Sequence, residues 1–145
     1  MRDIAKFFYK SQADFVSDAS PLKLVVKSRQ TGFTFANAFR LVLLVSAKTA
    51  KHDAFISSRD LASAKLFIQD CLHWAKILHQ GAKSLGETLF DRDSGTNAYV
   101  IEFANGRRTY SLSSTPNALA GKRGHVTLDE FALHEDQRNL FRIKH

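Results

Sequence analysis

The 145-residue chain has a single cysteine, Cys71, which rules out an internal disulfide and a cysteine-rich zinc site. Set in an apolar helical pattern, it reads as a small core residue. Prolines number only two, Pro21 and Pro116, so the chain has few obligatory breaks. Long apolar runs are missing too. The longest, 41–45, is far too short to cross a bilayer, and residues 1–6 lack the apolar stretch of a secretory signal. No membrane partner is therefore expected, and the cytoplasm is the expected compartment. Acidic residues are in deficit, 14 against 21 lysines and arginines, for a net charge of +7 and a pI near 9.8. Such a balance permits a polyanionic partner without requiring one. With 44% hydrophobic and 24% charged residues, the chain is neither disordered nor fibrous in composition, and its length suits one core at most.

The stretch that organises the chain is 22–34. The apolar run 22–26 has the length of a buried strand, a polar turn with Gly32 follows, and a long apolar segment starts at Phe33. Strand, glycine turn and helix start can cradle phosphate, because unpaired N–H groups at a helix N-terminus point outward with the positive end of the dipole. Against the pattern G-x-x-x-x-G-K-[ST], the window Lys27-Ser28-Arg29-Gln30-Thr31-Gly32-Phe33-Thr34 matches at Gly32 and Thr34. Lys27 stands at the first glycine position and Phe33 at the lysine position, so positive charge on a phosphate must come from Lys27 or Arg29. Taken alone, the window equally suits an ordinary αβ connection.

Far downstream, residues 125–130 read as a short strand ending in Asp129 and Glu130. Nucleotide hydrolysis uses such a pair, one carboxylate holding Mg²⁺ and the next taking a proton from the attacking water. The alternative is a strand end with two solvated acids.

Four blocks carry a family resemblance: residues 27–34, 55–59 (Phe-Ile-Ser-Ser-Arg), 117–124 (Asn-Ala-Leu-Ala-Gly-Lys-Arg-Gly) and 126–132 (Val-Thr-Leu-Asp-Glu-Phe-Ala). In this order they resemble the N-terminal ATPase part of the large terminase subunit, the DNA-packaging motor of tailed phages, nearest to its Mu-like prophage branch. There a lysine at the start of the phosphate motif is a known variant. The resemblance implies an ASCE-type α/β P-loop core with a mostly parallel sheet, strands at 22–27, 54–57 and 126–129, helices on both faces, and truncation at the C-terminus. It also implies ATP and Mg²⁺ as ligands. Thr34 and Asp129 would hold the metal, Lys27 the β and γ phosphates, and the rest of 27–34 would wrap the phosphates. Glu130 would activate water, and Arg29 would act as a finger in cis. Gln12 falls at the family's adenine-contacting glutamine, next to Ser11 at the neighbouring aromatic position; a solvent-facing Gln12 is the alternative. Double-stranded DNA, a small terminase subunit and a portal protein are the implied partners, in a prophage-bearing bacterial cell.

The remaining segments follow in order. Residues 3–16 pattern as a helix with Ile4, Phe7, Phe8 and Phe15 for one face, and 18–21 supply a turn. Segment 35–47 is apolar on nearly every face, as in a buried helix. In the helix following strand 54–57, Leu61, Ala64, Ile68, Cys71, Ala75 and Leu78 form one stripe. His73 and His79 do not share a helical face and suggest no metal site. Stretch 81–95 reads as a surface connection. Asp91, Asp93 and Glu102 have calcium-loop spacing, but Thr96 stands where the turn glycine is needed. Asn105-Gly106 between 98–103 and 107–112 is a strong hairpin signal, and 113–124 is a polar loop with Lys122 and Arg123.

Residues 1–20 are thus expected to form an adenine-side segment and 21–145 the core through the Asp-Glu strand, with no nuclease lobe. A short helix, 136–143, is expected near the end. The strand that in this family follows the paired carboxylates is not evident, so the isolated chain is expected to be a partial gene product, marginally folded and without turnover of its own. Two other readings are a different translocating or helicase-like ATPase and a non-hydrolysing remnant of a decayed prophage gene.

Overall fold

A computed structural model describes residues 8–20, 32–93, 95–113, 119 and 121–129. The expected strand 22–27 and helix 136–143 lie outside these residues, as do Lys27, Ser28, Arg29, Gln30, Thr31 and Glu130.

Helix α1, Lys10–Ser17, has Tyr9 as its N-cap and ends one residue past the predicted helix 3–16, of which residues 3–7 lie outside the described ones. Gln12 closes its first turn by accepting from the Tyr9 amide at 2.9 Å, the return bond of a capping box. Helix α2, Phe33–Ser46, begins at Gly32, whose φ of 75° is left-handed and open to glycine at little cost. Its carbonyl end is held from outside. Asn105 Nδ2 donates to the carbonyls of Val45 and Ala47 at 2.8 and 2.9 Å, satisfying acceptors a helix end leaves unpaired.

Strand β1, Asp53–Ser58, leads to α3, Leu61–Ile77. Asp60 caps this helix, its Oδ1 accepting from the Ser63 amide at 2.8 Å. The predicted stripe faces inward except at its first member: Ala64, Ile68, Cys71 and Ala75 are buried, together with Phe67 and Trp74, whereas Leu61 is exposed. Around Trp74 stand the rings of Phe8, Phe35 and Phe39 at 5.3, 4.7 and 4.9 Å. Its indole N–H donates to the Phe35 carbonyl at 3.1 Å, so the large apolar ring is buried without an orphaned donor. Burial pushes the Cys71 thiol well above its usual range, as suits a packing residue rather than a nucleophile.

Strands β2 (Ala82–Asp91), β3 (Thr96–Phe103), β4 (Arg108–Ser113) and β5 (Gly124–Leu128) complete one sheet with order β2-β3-β4-β1-β5. β1 lies parallel to β4 and to β5, while β2-β3 and β3-β4 are antiparallel. Gly124 has to be glycine, since a Cβ there would overlap the Asp53 carbonyl oxygen where β5 enters its pairing.

Two expectations are corrected here. The sheet is mixed, not the mostly parallel P-loop sheet, and the described helices pack on one face rather than two. That face joins Ala54, Ile56, Ile101 and Phe103 to α2 and α3, whereas the other carries Phe55, Ala98, Val100 and Leu112 with Leu119 against them. The reason is connection length. Asn105-Gly106, with Gly106 at φ 85°, and the short turn after Asp91 can join only antiparallel neighbours, because a parallel pair needs a crossover of a dozen or more residues. The second correction is β2 itself, which occupies most of the predicted connection 81–95. At the sheet edge among the described strands, it is largely exposed or half-buried and shows no apolar alternation to read.

Candidate functional site: the start of helix α2 and the end of strand β5

Helix α2 runs with its N-terminus toward the C-terminal end of β5, so residues at opposite ends of the chain meet there. The Thr34 hydroxyl donates to Asp129 Oδ2 at 3.0 Å. Thr34 is the second residue of α2, inside the turn whose amide hydrogens have no partner within the helix. Asp129 stands one residue past β5, its own amide donating to the Ser57 carbonyl at 3.0 Å and so carrying the parallel pairing one step further. The carboxylate is thereby fixed at the strand's end rather than loose in a loop.

Of the other predicted site residues, Gly32 is the N-cap of α2, and Gln12 reaches it. Gln12 is only 7% exposed, and a Cβ on Gly32 would overlap Gln12 Nε2. The solvent-facing alternative for Gln12 is therefore excluded. Phe33, at the lysine position of the general motif, packs edge-on against Phe15 of α1 with ring centroids 5.6 Å apart. It ties α1 to the start of α2 and presents no charge. Lys122 of the downstream loop lies 4.9 Å from the Phe90 ring, on the sheet face away from the helices.

Below the Thr34–Asp129 pair the same helix–strand contact continues with residues the sequence reading did not single out. Asn37 Nδ2 donates to Thr127 Oγ1 at 3.3 Å, and Arg40 Nη1 donates to Asn37 Oδ1 at 3.4 Å. Burial lowers the Arg40 pKa, with Asp18 acting in the opposite direction. Polar residues at 34, 37 and 40, three apart in a helix that is otherwise apolar as far as Val45, were the available signal.

The arrangement offers amide hydrogens at a helix start, a hydroxyl and a carboxylate within one small region. Hydroxyl and carboxylate oxygens are hard ligands suited to Mg²⁺, Ca²⁺ or Mn²⁺ rather than to softer ions such as Zn²⁺ or Cu⁺. Two oxygens on adjacent corners of an octahedron with bonds of 2.0–2.1 Å lie about 2.9 Å apart, close to the 3.0 Å between Thr34 Oγ1 and Asp129 Oδ2. A threonine donating its proton to the aspartate also keeps oxygen lone pairs for a cation. The donor set therefore fits Mg²⁺. A depression of 390 Å³ lined by Gly81, Lys83, Glu102 and Gly106 lies beside the β3-β4 turn, at the other end of α2, and contains none of these residues.

Among the described residues, no helix is long and apolar enough to cross a membrane. No family model and no solved structure matches the chain. Two curated proteins do. The Mu-like prophage FluMu protein gp28 of Haemophilus influenzae is 39% identical over 127 residues, covering 86% of this chain and 25% of its own length. The protein named "Probable terminase, large subunit gp28" of Escherichia phage Mu is 32% identical over 136 residues, covering 88% of this chain and 24% of its own length. The chain thus spans about a quarter of the length of each relative. Over most of its own length the chain is thus similar to the gp28 proteins of phage Mu and of a Mu-like prophage, the phage Mu relative carrying the name of a probable large terminase subunit.

Proposed function

We propose that the chain is the nucleotide-binding part of a large terminase subunit, an ATPase that drives double-stranded DNA into phage procapsids, and that ATP with Mg²⁺ sits where α2 begins. The observation that carries this reading is the hydrogen bond between Thr34 and Asp129, 95 residues apart in sequence and 3.0 Å apart in space. Both lie in blocks that resemble the terminase motifs, and the Mu relative's name points the same way.

In this reading Thr34 and Asp129 hold Mg²⁺, which when bound neutralises charge on the β and γ phosphates. Gly32 lets the backbone come close to the phosphates, and the amides of the first turn of α2 face them with the positive end of the helix dipole. Lys27 and Arg29, with Ser28, Gln30 and Thr31, complete the loop, Lys27 as phosphate ligand and Arg29 as the charge that stabilises the transition state. Glu130, next to Asp129 in sequence, takes the proton from water. Gln12, beside Gly32, is the contact to adenine. Small terminase subunit and portal protein are the proposed partners of the longer protein.

The test is a titration of the chain with a fluorescent ATP analogue, with and without Mg²⁺. Mg²⁺-dependent binding is expected, weakened by Thr34→Val, Asp129→Asn and Lys27→Ala but not by Lys23→Ala. Failure of the parent to bind at millimolar nucleotide, or indifference to all of these substitutions, removes the site. In a longer protein that hydrolyses ATP, Glu130→Gln should keep binding and lose roughly 10²–10⁴-fold in turnover. Retention of most of the rate would reject the base assignment.

A further inference from the structure

Asn37 is a carboxamide in the middle of an apolar helix, 5% exposed between Ala36 and Ala38, both fully buried. A polar group so placed is unfavourable unless bonded, and a small apolar residue would pack there without that demand. Its bonds run to two elements of the same face. The amide nitrogen donates to Thr127 Oγ1 on β5, and the amide oxygen accepts from Arg40 one turn along α2. Because a guanidinium can only donate, Arg40 settles which end of the carboxamide faces it, and the NH₂ is left for the threonine.

The position of this bond matters more than its strength. Asn37 is three residues after Thr34 on α2 and Thr127 is two before Asp129 on β5, so the helix and strand are joined by two polar rungs. Among the described strands β5 pairs with β1 alone, and all five of its residues are only half-buried. Apolar packing therefore restrains the end of β5 less than it restrains β1, and directional bonds to α2 supply the rest. We propose that Asn37, oriented by Arg40 and bonded to Thr127, is a positioning residue that sets the separation of Thr34 and Asp129 and thereby the affinity of that oxygen pair for a divalent cation. The inference rests on the Mg²⁺-nucleotide reading of the site.

The experiment measures the Mg²⁺ concentration giving half-maximal binding of the fluorescent ATP analogue to the full chain and to Asn37→Leu, Thr127→Val and Thr127→Ser. Partners that orient metal ligands typically change metal affinity by about 10–100-fold when removed. Asn37→Leu and Thr127→Val should each raise the midpoint about tenfold, on the low side of that range because neither touches the metal. Nucleotide binding in metal-free buffer should stay unchanged, and Thr127→Ser, which keeps the hydroxyl, should behave like the parent. The double variant should be no worse than the poorer single one, since both remove the same bond. If Asn37→Leu does not fold, Thr127→Val, which preserves shape, and Thr127→Ser, which preserves the hydroxyl, decide. An unchanged midpoint in Thr127→Val, or equal losses with and without metal, overturns the positioning role while leaving the site intact. A parent chain that binds nucleotide without regard to Mg²⁺ overturns the site and this role together.

Discussion

Gly32→Ala tests the junction on which both fold and site depend. Alanine must adopt the φ of 75° found at this N-cap, which costs about 1–2 kcal/mol for a residue with a Cβ. The added methyl would also overlap Gln12 Nε2. Moving Gln12 aside breaks its bond to the Tyr9 amide, worth about 1 kcal/mol net. The sum, about 2–3 kcal/mol, corresponds at about 2–4 °C per kcal/mol to a fall in melting temperature of about 4–12 °C. The chain's one tryptophan is buried among the aromatic rings beside α2, so its fluorescence reports urea or thermal unfolding directly. The decisive comparison repeats the substitution in a Gln12→Ala background, where the overlap is gone and only the backbone term of about 1–2 kcal/mol should remain. A loss below about 0.5 kcal/mol, or the same loss in both backgrounds, would refute the close approach of Gln12 to the start of α2.

Asn105→Ala should destabilise by about 1–3 kcal/mol in denaturant melts, because its side chain donates to the Val45 carbonyl of α2 and to that of its C-cap Ala47 and accepts from the Arg107 amide at 2.9 Å; an unchanged midpoint would show that water replaces it. Asp70 has its pKa raised above 3.8 by burial, with His73 acting in the opposite direction. Its folded form therefore binds protons more readily than its unfolded form, and it weakens the fold at neutral pH. Asp70→Asn should raise the melting temperature at pH 7, with the gain shrinking as pH falls toward 3.8; a gain that grows on acidification would reverse the assignment. Asp60, held below 3.8 mainly by the Ser63 amide, has the opposite sign. Asp60→Ala should lower the melting temperature at pH 7, and the difference should vanish as pH drops through the depressed value.

What the sequence determined by itself is what neighbouring residues settle among themselves. Leu61 to Leu78 carry a stripe at helical spacing, and the helix α3 with that stripe inward from Ala64 on follows. Asn105-Gly106 demands a tight turn, and β3 and β4 pair across it. Gly32 before an apolar run marks a helix start, and four short blocks carried a resemblance to the Mu-like prophage branch of the terminases, in keeping with the gp28 relatives. Tertiary structure decided the rest. Helix spacing in α1 could not show that Tyr9 caps the helix, next to Phe8 packed against Phe39 and Trp74. β2 was illegible because an edge strand with exposed faces needs no apolar alternation, and the pairing that makes it a strand comes from β3. The mixed sheet and the helices on one face depend on which strand edges meet, and on that the short-range pattern is silent. Asn37 and Thr127 look like a stray amide and an ordinary strand threonine until α2 is laid along β5, for the bond between them exists only when residues 90 apart in sequence come within 3.3 Å.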